Sequence, residues 1–259
     1  MNWTEGDVTL GGVRIHYYRR GTGRPLVLAH GFSDNGLCWE RVAASLDDHY
    51  DIVAYDSRFH GKSDAPADGE FGDADDLIGL VKALGLQRPA VLGHSMGAAT
   101  VADAIGREPG LFRRAVLEDP PWRDEWPVGA RPQQPNWSEI TVEQVIAYGK
   151  QQSPTWDAAE FPAWAESKRQ LRVPADWGTR RPSFLGAWRD RVTAIGVPAL
   201  LIRGDNIERG AIVSEDVAAE AQRLNAKVEV VCLKGAGHNV RREAFDDYVG
   251  VVGEFLDRD

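Results

Sequence analysis

Cysteine is nearly missing from this chain. Cys38 and Cys232 are the two present in 259 residues, and neither belongs to a metal-type spacing. That argues against a disulfide framework and against a zinc site. Long apolar runs are also missing, so no membrane-spanning helix is expected. There is no excess of basic charge. Lys and Arg number 30 against 39 Asp and Glu, a net −9 with both signs interspersed. Neither nucleic acid nor an anionic membrane is therefore an expected partner. The opening residues, Met1 to Asp7, are polar and acidic and do not read as a signal peptide. The expected location is cytoplasmic. No sequence repeat or low-complexity tract is visible.

What is present is alternation. Eight segments read as strands: Val8–Leu10, Val13–Arg19, Pro25–His30, Tyr50–Tyr55, Pro89–Leu92, Arg113–Leu117, Val197–Arg203 and Lys227–Leu233. Several are short continuous apolar runs, the mark of strands buried on both faces. Helical segments lie between them at Leu37–Leu46, Asp73–Leu84, Ala98–Arg107, Ser214–Leu224 and Arg241–Leu256. The pattern predicts an α/β fold: a mostly parallel sheet covered by helices on both faces, with an antiparallel start.

The alternation breaks from Pro121 to about Arg191. This stretch holds eight of the fourteen prolines and seven of the nine tryptophans. Thr141–Gln151 and Asp157–Leu171 look helical, and no buried type of strand appears. We read residues 121–191 as a helical cap inserted into a core built from 1–120 and 192–259. Tryptophan supplies large apolar area with one polar handle. The expected role is an aromatic-lined pocket for a bulky apolar molecule, with Trp126, Trp156 and Trp188 as candidate lining residues beside Phe32. Some of these rings are also expected to glue the cap to the core.

One stretch carries chemistry. Gly93-His94-Ser95-Met96-Gly97 matches G-x-S-x-G, with an apolar strand before it and a small-residue helix start after it. So sharp a turn needs small residues at the glycine positions, and it would present Ser95 at the carboxyl edge of the sheet. A serine hydroxyl is a poor nucleophile until a base takes its proton and a third group orients that base. His238, in Gly235-Ala236-Gly237-His238 after the last strand, is the candidate base. His94 is expected to pack or support rather than react, His30 to support its loop, and His16 to lie at the surface.

The acid is open on the residues alone. Glu118 and Asp119 follow one strand, and Asp205 and Glu208 follow the next, all at carboxyl ends where ligands of open sheets gather. Asp119 precedes the stiff pair Pro120-Pro121; Asp205 lies in a more flexible turn. Two backbone N–H groups must also meet the developing oxyanion. Met96, after the nucleophile, and Phe32, in His30-Gly31-Phe32, are the candidates.

With these segments in order, together with Asp56-Ser57-Arg58-Phe59-His60-Gly61-Lys62-Ser63-Asp64, the chain resembles the α/β-hydrolase fold superfamily. The resemblance implies an eight-stranded sheet, a cap after the sixth strand, and a Ser95–acid–His238 triad. It gives the Asp56–Asp64 segment a structural role. Most members carry the acid after the seventh strand as Gly-x-x-Asp, but here the third position after Gly204 is Ile207. A subset that includes haloalkane dehalogenases and fungal zearalenone lactonases carries it after the sixth. Asp119, 24 residues beyond Ser95, is spaced similarly. That favours Asp119, with Asp205 the alternative, then Glu208 and Glu118.

The implied activity is a serine hydrolase cleaving a carboxylic ester or lactone through an acyl-enzyme, with no metal and no cofactor. A nucleophilic aspartate, as dehalogenases and epoxide hydrolases require, is replaced here by Ser95. The alternatives on the same fold are a carbon–carbon bond hydrolase, a cofactor-free perhydrolase, or a non-catalytic small-molecule receptor.

Overall fold

The computed structural model describes residues 2–67, 69–71, 73–124, 136–172 and 187–258. Eight strands form one sheet in the order β1-β2-β4-β3-β5-β6-β7-β8. The strands are β1 (Thr4–Leu10), β2 (Val13–Arg20), β3 (Arg24–Ala29), β4 (Tyr50–Tyr55), β5 (Ala90–His94), β6 (Ala115–Glu118), β7 (Ala199–Gly204) and β8 (Val228–Leu233). β1 and β2 pair antiparallel, as do β2 and β4; every other pairing is parallel.

Nine helices accompany them among the described residues: α1 (Glu40–Leu46), α2 (Asp73–Ala83), α3 (Met96–Arg107), α4 (Val142–Gln152), α5 (Phe161–Gln170), α6 (Trp188–Ala194), α7 (Glu215–Leu224), α8 (Val240–Glu243) and α9 (Phe245–Asp257). Alternate side chains of the central strands feed two separate cores, because successive strand residues point to opposite faces. Val27, Val91, Leu117 and Leu201 pack with α2, α3, α6 and α7. Leu26, Leu28, Val116 and Ile202 pack with α1, α8 and α9. This double burial is why β3 and β5 read as unbroken apolar runs.

Several boundaries differ from the sequence reading for local reasons. The expected helix from Leu37 is a 3₁₀ turn over Gly36–Trp39 before α1 begins. The strand expected from Val197 pairs only from Ala199, since Pro198 has no N–H to donate. The single closing helix is two, α8 and α9, separated at Ala244 with φ −136° and ψ 55°. Asp157–Leu171 opens with a 3₁₀ turn over Ala158–Glu160 before α5. His16 is buried, not superficial, with Nδ1 2.9 Å from Asp7 Oδ1.

The segment between β6 and β7 contributes α4, α5 and α6. α4 opens with a capping box between Thr141 and Gln144 and packs on α5. α6 behaves differently: Trp188 and Val192 belong to the core on the α3 side of the sheet. The division expected at residue 191 therefore cuts through a helix that packs as core.

Candidate active site

Parallel register brings three loops to one edge of the sheet. Ala29 stands opposite Gly93, His94 opposite Glu118, and Glu118 opposite Ile202. The residues that follow β3, β5 and β6, namely Gly31-Phe32, Ser95 and Asp119, thus emerge together.

Ser95 has φ 52° and ψ −114°, a backbone conformation that a side-chain-bearing residue rarely adopts. Such strain costs on the order of 1–3 kcal/mol and persists only where neighbours over-determine it. Here Ser95 N–H donates to Glu118 O at 2.9 Å, and Ser95 O accepts from Ala99 N–H at 3.1 Å. The flanking glycines are steric requirements. A Cβ on Gly93 would lie 2.3 Å from Gly97 O, and one on Gly97 would lie 2.2 Å from Ala29 O. Helix α3 therefore starts directly on the end of β3. Its first residue, Met96, has no intrahelical acceptor for its N–H.

His238 Nδ1 lies 2.7 Å from Asp119 Oδ2. Asp119 is wholly buried and itself takes a positive φ of 38°. Its carboxylate accepts the Ile212 N–H at 2.9 Å and the Val213 N–H at 3.0 Å, while its own N–H donates to Ile202 O at 2.8 Å. With Nδ1 committed to the carboxylate, the second ring nitrogen of His238 is the one left to exchange protons with a hydroxyl. His94 supports this loop from below: its Nε2–H donates to His238 O at 3.0 Å, and the two rings are 4.7 Å apart. Burial first, then the charges of Arg241 and of His238, hold the His94 imidazole well below its usual range, so it stays neutral.

The other candidate acids stand elsewhere. Asp205 is exposed and its Oδ1 accepts the Gly235 N–H at 2.7 Å. Glu208 is exposed. Glu118 is buried but faces the opposite core, accepting from Arg241 N–H at 2.9 Å and from Tyr248 Oη–H at 3.2 Å. Burial pushes its carboxyl up, against the pull of Arg241.

Phe32 packs on Met96 and Ala99 and meets the His60 ring edge-on at 5.7 Å. His30 ties the same loop down, with Nδ1 2.8 Å from Gly31 O and Nε2 accepting the Ser57 N–H at 3.0 Å. Asp56 braces it further through Gly36 N–H at 2.7 Å and Lys62 N–H at 2.8 Å.

Of the three tryptophan expectations, the one for Trp188 needs correction. Trp188 is buried at 2% exposure, stacks on Trp122 at 5.9 Å, and donates its indole N–H to Asp124 at 3.1 Å. It is core, because α6 packs on α3 and leaves its ring no open face. Trp156 stacks on Phe161 at 5.8 Å, with the Arg242 guanidinium 4.6 Å over its ring. It borders a 250 Å³ cavity with Lys150, Pro154 and Phe161. Trp126 lies outside the described residues.

One feature escaped the sequence reading altogether. Asp34, beside the Phe32 loop, accepts from Arg241 and Arg242 at 2.9 and 3.0 Å and from Lys168 at 3.2 Å. Arg241 also reaches Glu118 at 3.2 Å, and Arg242 reaches Glu160 at 3.1 Å. The signal available in the sequence was the Arg241-Arg242 pair just beyond Gly237-His238.

Comparison with known proteins agrees with this architecture. A profile described as the alpha/beta hydrolase family matches residues 26–251. The chain belongs to the α/β-hydrolase family. It is 30% identical to the N-formylmaleamate deformylase of Pseudomonas putida, over 97% of this chain and 96% of that one. It is 28% identical to the 2-(acetamidomethylene)succinate hydrolase of Mesorhizobium japonicum, over 96% and 94%. A solved E-2-(acetamidomethylene)succinate hydrolase superposes with a TM-score of 0.82 at 23% identity, covering 99% of this chain and all of that one. A meta-cleavage product hydrolase superposes at 0.70 with 18% identity over 97% of each chain. The chain is a hydrolase of this fold. Among these relatives the expected ester or lactone bond finds less support than the alternative of a carbon–carbon bond hydrolase on the same fold. No helix among the described residues is long and apolar enough to cross a membrane.

Proposed function

We propose that this hydrolase cleaves an N-acyl bond of a small carboxylate-bearing molecule, through an acyl-enzyme on Ser95. The observation that carries the chemistry is the His238–Asp119 contact of 2.7 Å at the edge where Ser95 emerges. The observation that favours nitrogen over oxygen as leaving atom is the pair of relatives matched along nearly their whole length. One is named for deformylating N-formylmaleamate and the other for hydrolysing 2-(acetamidomethylene)succinate. Both molecules are small carboxylates that carry an N-acyl group.

In this mechanism Ser95 Oγ attacks the acyl carbon while His238 takes the hydroxyl proton. Asp119 holds the imidazole in the needed tautomer and stabilises the imidazolium. The Phe32 and Met96 N–H groups receive the oxyanion. The carbon–nitrogen bond then breaks as His238 returns the proton to nitrogen. Water attacks the acyl-enzyme, again losing a proton to His238, and releases the carboxylic acid and free Ser95. Nitrogen leaves poorly unless protonated, so a well-oriented imidazolium matters more here than for an activated ester.

A second reading keeps the same residues and cleaves a carbon–carbon bond, the chemistry for which the meta-cleavage product hydrolase is named. The test is kcat/KM on four substrates: N-formylmaleamate, 2-(acetamidomethylene)succinate, a meta-cleavage diketone and p-nitrophenyl butyrate. The proposal predicts that an N-acyl substrate leads. Preference for the diketone establishes the second reading, and preference for the ester contradicts both.

A further inference from the structure

We propose that Lys168 is a positioning residue for the oxyanion loop, and that through it helix α5 sets the direction of the Phe32 N–H. This rests on the assignment of Phe32 made above.

A run of hydrogen bonds leads inward from α5. Lys168 is only 7% exposed. Its Nζ donates to Ser33 O at 2.7 Å, to Ser33 Oγ at 2.9 Å and to Asp34 Oδ1 at 3.2 Å. All three donors of the ammonium are thereby used on the two residues after Phe32. On the same helix, Ser167 Oγ lies 2.9 Å from Ser33 O and 2.7 Å from Trp164 O, with one proton to share between them, and Gln170 Oε1 accepts from Asn35 Nδ2–H at 2.9 Å. Ser33 needs such help, because its φ of 74° lies in the left-handed region. Without ligands on its carbonyl and hydroxyl, nothing in a serine favours that conformation.

The hold on Ser33 and Asp34 reaches the catalytic edge through one peptide unit. Asp34 N–H donates to Gly31 O at 3.0 Å, alongside His30 Nδ1 at 2.8 Å. Gly31 C=O and Phe32 N–H share a planar trans peptide and point in opposite directions. Fixing Gly31 O from one side therefore aims Phe32 N–H to the other. The backbone at Gly31 is packed closely on His94, since a Cβ there would lie 2.5 Å from His94 Nδ1. Lys168 thus acts two bonds back from the oxyanion, without touching substrate. Deleting it leaves Asp34 still paired with Arg241 and Arg242, so the buried carboxylate keeps counter-charge.

The experiment compares wild type with Lys168→Met and Lys168→Arg. A fluorophosphonate probe counts the Ser95 that is competent to react. Kinetics then give kcat per titrated site and KM, and an alkylboronic acid, whose tetrahedral adduct carries an oxygen into the oxyanion position, gives a binding constant. Misplacing such a donor by a fraction of its bond length costs about tenfold to a hundredfold. The expected result for Lys168→Met is that drop in kcat with KM nearly unchanged. Boronate affinity falls by a similar factor, and Lys168→Arg recovers part of both. Should Lys168→Met not fold, Ser33→Ala removes one acceptor only and is expected to lower kcat and boronate affinity together, by less. Wild-type kcat per titrated site in every folded variant overturns the proposal, as does a fall in kcat with boronate affinity intact. Wild-type protein that the fluorophosphonate does not label overturns the serine mechanism itself, and this inference with it.

Discussion

Asp119 Oδ2 stands 2.7 Å from His238 Nδ1, and the same carboxylate is gripped by two backbone N–H groups from the loop after β7. That loop, which also carries Asp205 and Glu208, thus holds the Asp119 carboxylate through its amides. Asp119→Asn should therefore lower kcat by about 10⁴-fold while the fold persists, since the wrong tautomer of His238 is then favoured. Asp205→Asn should leave kcat near the wild-type value. Steady-state kinetics on the two purified variants, with circular dichroism as the folding control, decides between them.

The glycines of the serine turn predict a stability effect. Gly97→Ala would place a methyl 2.2 Å from Ala29 O, a backbone atom that cannot swing away. Forcing β3 and α3 apart is expected to cost about 1–3 kcal/mol. Urea unfolding of the variant against wild type measures it, and an unchanged midpoint would show that the turn is looser than described.

Trp188 belongs to the core, so its loss should be felt in stability and not in substrate choice. Trp188→Ala is expected to destabilise by about 3–5 kcal/mol. KM for the preferred substrate should not change. A shifted KM with a wild-type unfolding midpoint would return Trp188 to the pocket.

These cases show what could be read in advance. The strand positions and the Ser95 turn were legible because each is a local pattern: apolar runs for doubly buried strands, glycines where a Cβ has no space. Asp119 was one of four open acids on the residues alone, and its spacing from Ser95, similar to the subset with the acid after the sixth strand, is what favoured it. The tryptophans were not legible, because composition states that large rings must be buried but not whether a neighbour or a ligand buries them. The Asp34 cluster was less legible still. Its partners Lys168 and Arg241 come from positions 134 and 207 residues away, and no periodicity links charges across such separations.

Burial lowers the imidazoles of His30, His60 and His94, and the last two, pushed furthest, dominate a pH dependence of stability. Burial, reinforced by His30, pushes the His60 imidazole down to about 3, and burial with Arg241 holds His94 well below its usual value. Both stay neutral in the folded protein, whereas in the unfolded chain each titrates near about 6.5. Their contribution is complete above that value and is lost as pH falls below it, because the unfolded state takes up the protons. Well below pH 6.5 the pair should remove up to about 2.7 kcal/mol per pH unit, at about 1.36 for each proton. Unfolding free energies measured between pH 7 and 5 test the slope, and a flat profile would contradict it.

Asp34 adds a loss of the same sign at lower pH. Burial alone would raise its carboxyl, but Arg242, Lys168 and Arg241 outweigh that and hold it well below the usual range. Its stabilisation is present above the ordinary carboxylate value and lost as pH falls through the lowered one. Asp34→Asn leaves three buried cations facing one another and should cost about 3–5 kcal/mol at pH 7. That penalty should shrink as wild-type Asp34 becomes protonated, which paired urea titrations at pH 7 and in strong acid would reveal.

The most direct test of the whole account is the fate of the N-acyl substrate on wild type and on Ser95→Ala. Incubation with N-formylmaleamate or 2-(acetamidomethylene)succinate, followed by chromatography of the released acid, measures it. The account predicts turnover by wild type and a loss of at least about 10⁴-fold in Ser95→Ala. Acid released by Ser95→Ala at the wild-type rate would contradict it.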